Sequence, residues 1–455
     1  MLVLLSVRAR LLLSCRNPLL LEKISPEGRK TLHMHHTQTP YERSEDRPPR
    51  PLWRNRDFLL LWSGQTISVL GTNISTLALP LLVLVLTHSP AQAGLLTAMR
   101  LLPYLLFSLP AGALVDRWDR KSVMIRCDVV RWIALGSVPL AFSFGYLTVV
   151  QLFIVAFIEG TAYVLFSLAQ ISALPRVVPP AHLPRAYALD TTTEYVGSLL
   201  GPGLGGFIIS LARTIAVGAM LAYLADSISY LVSVLSLLFI RVPFQAERTV
   251  ASRPALHKEI AEGLRFLWRQ QQLRIMALLT MTVNFLLSPV TLIVIVLAQG
   301  TLHLDVRTLG LILSASGVGG VLGGFIAPWA RERLRFGQII IGSVIIWAIA
   351  ILLLALAASS LLLIAGEVLA SVMWPVYGVT LVSYRLLLTP DKLQGRVNSA
   401  FRFLSYGSEP LGAAIGGLLL VPLGPRVVFG LIAAGLTLSV LVASFTSLRK
   451  ASGIV

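Results

Sequence analysis

The sequence is short of charge and of cysteine. Only 13% of its 455 residues are charged and 55% are hydrophobic, whereas soluble domains are about 25% charged. Its two cysteines, Cys15 and Cys127, are too few for a disulfide framework or a metal cluster. The sequence has no G-x-x-x-x-G-K-S/T loop, so nothing supports direct use of ATP. It also has no recognisable pair of nucleophile and base. We therefore expect neither an enzyme nor a bound cofactor or metal.

The chain instead contains long apolar runs. Each is 20 or more residues long, enough for a helix to cross about 30 Å of hydrocarbon. The short alternating segments of a membrane β-barrel are not found in the sequence. We place twelve spans, at 58–86, 92–115, 122–146, 150–174, 188–211, 215–240, 274–299, 306–330, 337–358, 360–386, 396–421 and 425–447. These spans predict an all-α integral membrane protein.

The positive charge is distributed unevenly along the chain. The formal net charge is +17, and 32 of the 38 Lys and Arg residues precede the first span, lie in alternate connections or follow the last span. Only Arg213, Arg307 and Arg426 lie in the other connections. This distribution follows the positive-inside rule and predicts that both termini are cytoplasmic, in a multi-pass protein of the plasma (cytoplasmic) membrane. Topology accounts for the basic excess, so we do not expect nucleic-acid binding.

The composition divides the chain into five parts. Residues 1–51 are expected to form a disordered cytoplasmic tail, because the segment before the first span is rich in proline and charge. An internal methionine, Met34, raises the hypothesis that residues 1–33 are a start-site artefact. Residues 52–240 and 274–448 each hold six spans, and residues 449–455 form a short cytoplasmic tail.

A basic linker, residues 241–273, joins the two halves. Ile260, Leu264 and Leu267 recur in it at helical spacing beside basic residues. This pattern predicts an amphipathic helix on the cytoplasmic membrane surface. A plain soluble linker helix is the alternative.

The two six-span halves repeat each other. Aligning residue 185 with residue 396 matches arginine with arginine, Tyr195 with Tyr406 and Gly201 with Gly412. Two homologous six-helix bundles are typical of transporters, whose binding site lies between the halves.

The stretch YVGSLLGPGLGGF, residues 195–207, contains the G-x-G-x-x-G spacing of a dinucleotide loop. Such a loop follows a strand, whereas these glycines lie inside an apolar span. Gly197, Gly201 and Gly205 are four residues apart, so they form a small-residue surface that a neighbouring helix can approach. Pro202 removes a backbone hydrogen bond and should bend the helix.

Two motifs carry a family resemblance. The residues Gly197, Gly201, Pro202, Gly205 and Gly206 resemble the antiporter motif of the major facilitator superfamily, found mainly in its exporters. The loop Gly112, Asp116, Arg117, Arg120 and Lys121 resembles that superfamily's signature loop, with Asp119 where glycine is usual. The similarity covers residues 52–448, and LLPYLLFSLPAGALVDRWDRKSVMI most resembles the bacterial branch of macrolide and siderophore (enterobactin-type) exporters.

The resemblance implies twelve helices in two pseudo-symmetric six-helix bundles that rock in alternating access. It also implies that spans one, four, seven and ten line the central cavity. Those spans carry polar residues at helical spacing, and ordinary hydrogen bonding between helices is the alternative role for them. The candidate cavity residues are Gln65, Ser68, Thr72, Tyr163, Gln170, Asn284, Ser288, Ser371 and Trp374.

Four carboxyl groups inside spans are candidates for proton coupling: Glu159, Glu367, Asp226 and Glu409. Glu159 and Glu367 occupy nearly equivalent places in the two halves. Ionisable groups inside a membrane often mark proton pathways. The alternative for Glu159 is a permanent ion pair with Arg100. The resemblance further implies that Asp116 latches the start of span eleven through Arg396 or Arg402, and a solvated loop charge is the alternative there.

The expected function is therefore a proton-driven antiporter that exports a drug-like or siderophore-like amphipathic molecule. We expect a small-molecule substrate, protons and the lipid bilayer as its partners, and a monomer. An importer or a lipid flippase with the same fold is the first alternative. A membrane sensor or scaffold without transport is the second.

Overall fold

The computed structural model describes residues 52–245, 256–390 and 393–450. Those ranges contain no strand, and their α-helices are α1 (Arg56–Thr87), α2 (Pro90–Arg117), α3 (Arg120–Ser143), α4 (Val149–Val177), α5 (Leu183–Leu211), α6 (Ile215–Phe239), α7 (Leu256–Arg269), α8 (Gln271–Leu287), α9 (Val290–Val296), α10 (Val306–Arg333), α11 (Phe336–Ala355), α12 (Ser360–Leu388), α13 (Gln394–Gly407) and α14 (Glu409–Ser444). A π-helical turn, Leu297–Thr301, extends α9. The tail predicted for residues 1–51 lies wholly outside the described residues.

The helices coincide with the twelve predicted spans. Among the described residues, nine helical segments are long and apolar enough to cross a membrane. Two further helices, α3 and α5, coincide with predicted spans but are less apolar. Three charged residues lie close together in the sequence of α3, and α5 is rich in glycine and polar residues. The last of the nine segments, 394–444, contains two predicted spans. They are divided at Gly424, whose φ of 73° lies in the left-handed region that favours glycine.

Spans seven and eleven are interrupted. The first is divided into α8 and α9 at Ser288 and Pro289, and the second into α13 and α14 at Ser408. Proline explains both breaks, because Pro289 and Pro410 lack the amide hydrogen that a continuous helix would use. The two interruptions lie side by side, since a Cβ at Gly412 would be 2.4 Å from the Ser288 Oγ.

Each half is a bundle, and the halves meet along two helix pairs. In the first half α1 packs on α5 and α6, and α2 packs on α4; in the second half α10 packs on α12, and α11 on α14. The halves contact each other through α5 with α10 and through α2 with α14. Glycine allows both contacts: a Cβ on Gly206 would be 2.7 Å from the Val306 carbonyl oxygen, and one on Gly94 would be 2.5 Å from the Gly417 Cα.

The two ends of the molecule differ in charge. We call the end where α1, α3 and α5 begin the basic end, because the arginine-rich connections lie there. Arg120 donates to the Ser172 carbonyl oxygen at 2.9 Å, and Lys121 donates to the Ile240 carbonyl oxygen at 2.7 Å. These bonds bring the start of α3 to the ends of α4 and α6. The glycine contacts between the halves lie toward the opposite end.

The linker contains α7, which packs against the start of α13. Leu267 on α7 is fully buried. Gly263 permits close approach, since a Cβ there would be 2.5 Å from the Arg396 carbonyl oxygen, and Glu262 forms an ion pair with Arg396. The helix thereby ties the linker to the second half of the molecule.

Candidate functional site: an inter-bundle cavity and its charge cluster

A cavity of about 400 Å³ lies between the two halves, in the half of the molecule nearer the basic end. Most of its wall comes from α1 to α5, and Arg402 on α13 contributes from the second half. Five predicted cavity residues line it: Gln65, Ser68, Thr72, Tyr163 and Gln170. Spans one and four therefore face this space, as the resemblance implies for them.

Aromatic rings at the cavity wall connect the two halves. Tyr104 on α2 lies 6.1 Å from Tyr163 on α4 and 5.8 Å from Tyr406 on α13, measured between ring centroids. The Arg402 guanidinium lies 5.8 Å from the Tyr406 ring. These flat, amphipathic surfaces suit an organic molecule with apolar and polar parts.

Glu159 lies behind this wall, in a cluster of buried charges. Its carboxylate accepts two hydrogen bonds from Arg100, at 2.5 Å and 3.2 Å, and one of its oxygens is 3.8 Å from Arg131. The neighbouring Gly160 makes the pairing possible: a Cβ there would be 2.0 Å from the Arg100 carbonyl oxygen, so only glycine lets α2 come this close. The structure therefore shows the ion pair with Arg100 that the sequence left as an alternative.

Arg131 is the centre of the cluster. Its side chain is 4% exposed and lies between Glu159 and Asp128, whose carboxylate is 3.6 Å away. The guanidinium also lies over the rings of Tyr230 and Tyr163, at 4.6 Å and 5.4 Å from their centroids. Two carboxylates and two aromatic rings hold this arginine in place, as a buried charge requires.

A hydrogen-bonded chain joins the cavity to Asp128. Gln65, which lines the cavity, donates to Ser233 at 3.1 Å, and Ser233 donates to Asp128 at 2.6 Å. The second Asp128 oxygen, the one that faces Arg131, has no hydrogen-bond partner in the part of the chain that the structure describes. Asp226, another predicted coupling residue, is buried between α1 and α6 and accepts from the hydroxyl of Ser75. The first half thus concentrates its buried charges close to the cavity.

Glu367 in the second half has different surroundings. It is buried, yet it has no hydrogen-bond or ion-pair partner among the described residues. Its counterpart Glu159 has two arginines, so the equivalence of the two positions in sequence does not extend to their partners. Glu409 is partly buried and begins α14 at the interruption of span eleven.

The predicted cavity residues of the second half contact their own bundle. Asn284 is buried and donates to the Ser405 carbonyl oxygen at 3.0 Å, and Ser288 donates to the Phe285 carbonyl oxygen at 3.1 Å. Ser371 lies against α10, because a Cβ added to Gly319 would be 2.8 Å from the Cβ of Ser371. Trp374 is 44% exposed and its ring lies 5.1 Å from that of Trp347.

The antiporter motif packs α5 on two helices at once. Cβ atoms on Gly197, Gly201 and Gly205 would come within 2.7 Å, 2.2 Å and 2.4 Å of α1. Gly206 faces α10 instead, and the carbonyl oxygen of Pro202 would be 2.6 Å from a Cβ on Gly310. The motif therefore packs α5 against α1 of its own half on one side and against α10 of the second half on the other.

The signature loop is described in part. Its first residues belong to α2, but the surroundings of Gly112 and the side chains of Asp116 and Arg117 lie outside the described part of the structure. Asp119, the departure from the motif, caps α3 by accepting a hydrogen bond from the Ser122 amide at 2.8 Å. The latch from Asp116 to Arg396 or Arg402 stays a prediction.

Sequence reasoning missed several residues of the site. Asp128 and Arg131 lie three residues apart inside an apolar span, a spacing that places them on one helix face and could have indicated a buried pair. Asp190 and Glu194 line the cavity on α5, one helical turn apart. Tyr104 gave no signal in sequence, because its contacts with Tyr163 and Tyr406 arise only from the packing of three helices.

Comparison with known proteins places the chain among transporters. A family model described as a transmembrane secretion effector matches residues 49–453. The multidrug efflux pump Tap of Mycobacterium tuberculosis is 27% identical over 391 residues, which cover 83% of this chain and 90% of that protein. Macrolide efflux protein A of Streptococcus pyogenes is 22% identical over 284 residues, or 61% of this chain and 68% of that protein.

Solved structures show the same fold. The nucleoside transporter NupG is 14% identical and superimposes with a TM-score of 0.70, covering 87% of this chain and 99% of that one. A bacterial homologue of the iron transporter ferroportin, in an inward-facing state, is 17% identical with a TM-score of 0.66 and covers 87% and 98%. The all-helical arrangement of two six-span halves is therefore the major facilitator fold.

Proposed function

The chain belongs to the transmembrane secretion effector family of the major facilitator superfamily, and from this premise we propose that it is a proton-coupled exporter of amphipathic organic molecules. It is a multi-pass membrane transporter with efflux pumps among its relatives. The cavity between its halves supports the proposal most directly. That cavity lies toward the basic end, while glycine contacts bring the halves together toward the opposite end.

The orientation follows from the charge distribution. We infer that the basic end faces the cytoplasm, with both termini there, because the positive-inside rule sets topology by Lys and Arg. In that orientation the cavity lies on the cytoplasmic side. A molecule would enter from the cytoplasm and leave when the halves rock about the α5–α10 and α2–α14 contacts.

Proton coupling is assigned to the buried carboxyl groups. We propose that a proton on Glu159 replaces its bonds to Arg100, so the cluster changes its charge and its contacts as the cavity changes sides. Glu367 supplies a second buried carboxyl without a partner among the described residues, and Asp226 and Glu409 are further candidates. The energy source is then the proton gradient, with no cofactor, and the protein acts as a monomer without catalysis.

The cavity wall suggests the kind of molecule carried. Tyr104 and Tyr163 in the wall, with Tyr406 packed against Tyr104, offer aromatic faces, while Asp190 and Glu194 add acidic groups to the wall. This combination suits an amphipathic compound with a weakly cationic group. Drug-like compounds, such as those named for the efflux relatives, are the first to test.

The test is substrate-evoked proton movement in liposomes that contain the purified protein. A macrolide, a siderophore and a cationic dye would each be added under an imposed pH gradient. We expect one of them to move protons with the wild type and not with Glu159→Gln. Glu332→Gln, which removes an exposed acid at the basic end, is the matched control and should leave the signal intact.

The outcomes separate the alternatives. Proton movement that survives Glu159→Gln but is lost with Glu367→Gln would move coupling to the second half. Solute movement without protons would favour a uniporter or an importer, and lipid movement between leaflets would favour a flippase. If the folded protein transports none of the compounds tested, proton-coupled drug export loses its support. A sensor or scaffold then becomes the hypothesis to test.

A further inference from the structure

An apolar groove runs along the outer face of the first half, away from the cavity between the halves. It has a volume of about 410 Å³ and lies between α3 and α4. Val123, Val130, Phe157, Ile158 and Leu165 form much of its wall. Both helices are spans of the membrane domain, so this wall faces lipid hydrocarbon and not water.

The groove has one polar rim, at the basic end. Trp118 follows α2 in the connection at the basic end and is 46% exposed, and Arg126 lies nearly two turns into α3. Arg126 is exposed and has no hydrogen-bond or ion-pair partner among the described residues. Its neighbours Arg120 and Lys121 are occupied differently, since each donates to a backbone carbonyl of the first half. The Arg126 guanidinium is therefore available to a molecule that occupies the groove.

We propose that this groove binds one anionic phospholipid, with its phosphate on Arg126 and Trp118 and an acyl chain along the α3–α4 wall. The charge selects an anionic headgroup, because basic side chains at a membrane surface attract such lipids. Tryptophan prefers the headgroup level, where its ring and its N–H find different surroundings. A protein helix is a poorer fit, because helix contacts in membranes favour small residues such as glycine, alanine, serine and threonine, and only Thr161 and Ala162 among the lining residues belong to that class.

The proposal does not depend on which solute the protein carries, or on whether it carries one. The site lies on the first half alone, and none of its lining residues belongs to the cavity between the halves. A failed transport assay therefore leaves it standing, and its own failure leaves the transport proposal standing.

The test measures which lipid lies beside Trp118. The full chain is reconstituted in bilayers of equal amounts of phosphatidylcholine and phosphatidylglycerol, with brominated acyl chains on one lipid or on the other. Bromine quenches tryptophan at contact, and subtracting the signal of Trp118→Phe isolates this one ring. We expect phosphatidylglycerol to be enriched about fivefold beside Trp118, the preference that one basic residue gives at a membrane surface.

Substitution of the arginine decides the role of charge. Arg126→Gln should reduce the enrichment to about onefold, Arg126→Lys should keep most of it, and the matched control Arg331→Gln, an exposed basic residue outside the groove, should leave it unchanged. Equal quenching by the two lipids in the wild type would overturn the proposal. So would a preference that persists in Arg126→Gln, because the anionic headgroup would then be held elsewhere.

Discussion

The cluster around Glu159 makes a prediction about stability that is separate from transport. Glu159→Gln removes a negative charge that Arg100 and Arg131 share. Removing one partner of a fully buried ion pair costs about 3–5 kcal/mol. Arg100 is 28% exposed and can turn to water in the cavity, while Arg131 keeps Asp128 as a partner. We therefore expect a smaller loss, of about 1–3 kcal/mol in the free energy of unfolding.

The double variant tests the pairing itself. Arg100→Gln with Glu159→Gln removes one charge of each sign, so the cluster stays balanced and the loss should be less than the sum of the single losses. We expect a coupling energy of about 1–2 kcal/mol. The assay is unfolding of the purified protein in mixed micelles titrated with a denaturing detergent. Arg100→Gln with the remote Glu332→Gln serves as the control pair, whose effects should add.

One result would refute the reasoning. If the losses from the two cluster substitutions add within about 0.5 kcal/mol, as they do for distant sites, then Arg100 does not hold the charge of Glu159. The buried carboxyl would need another partner, and the proposal that protonation releases Arg100 would fail with it. A coupled pair whose variants still move protons would instead separate the structural role from the transport role.

Three further predictions concern packing and capping. Gly201→Leu should abolish transport and lower the yield of folded protein, since a Cβ there would already be 2.2 Å from that of Asn73; quantifying folded protein by size exclusion checks this. Gly263→Leu should be far more damaging in thermal unfolding than Glu262→Gln, because the first drives a side chain into the α13 backbone while an exposed ion pair contributes less than about 1 kcal/mol. A hydrogen bond from a threonine hydroxyl holds the pKa of Asp305, the cap of α10 outside the membrane, below its ordinary 3.8. The ionised cap therefore stabilises above that pH and loses its effect as the pH falls through the lowered pKa, so Asp305→Ala should cost about 1 kcal/mol at neutral pH and progressively less in acid.

The spans could be predicted because hydrophobic length is a local property of the chain. A run of 20 apolar residues must be helical in a bilayer, whatever it packs against. The breaks at Pro289 and Pro410 were also readable in principle, since proline removes a helical hydrogen bond wherever it lies. The glycine spacing around Gly201 likewise indicated a surface that another helix approaches, although it did not say which helix.

The partners of the buried charges could not be predicted in the same way. Sequence places Glu159, Arg131 and Asp128 on their helices, but the rotation of α3 against α4 decides whether the three meet. The same applies to Tyr104, whose ring contacts come from α4 in its own half and from α13 in the other half. Such sites depend on long-range packing, for which one sequence carries no periodic signal.

The two halves share a fold but not a chemistry, and this difference constrains how they can work. The first half holds Arg100, Arg131 and Glu159 in one bundle, so in the proposed rocking of the halves the cluster would move with that bundle. The cluster meets the second half at the cavity, where Tyr104 contacts Tyr406 and Arg402 joins the wall. A solute between those rings would separate them and expose the cluster to water or to the solute itself. On the proposed mechanism, coupling should therefore depend on the contact between the tyrosines as much as on the protonation of Glu159.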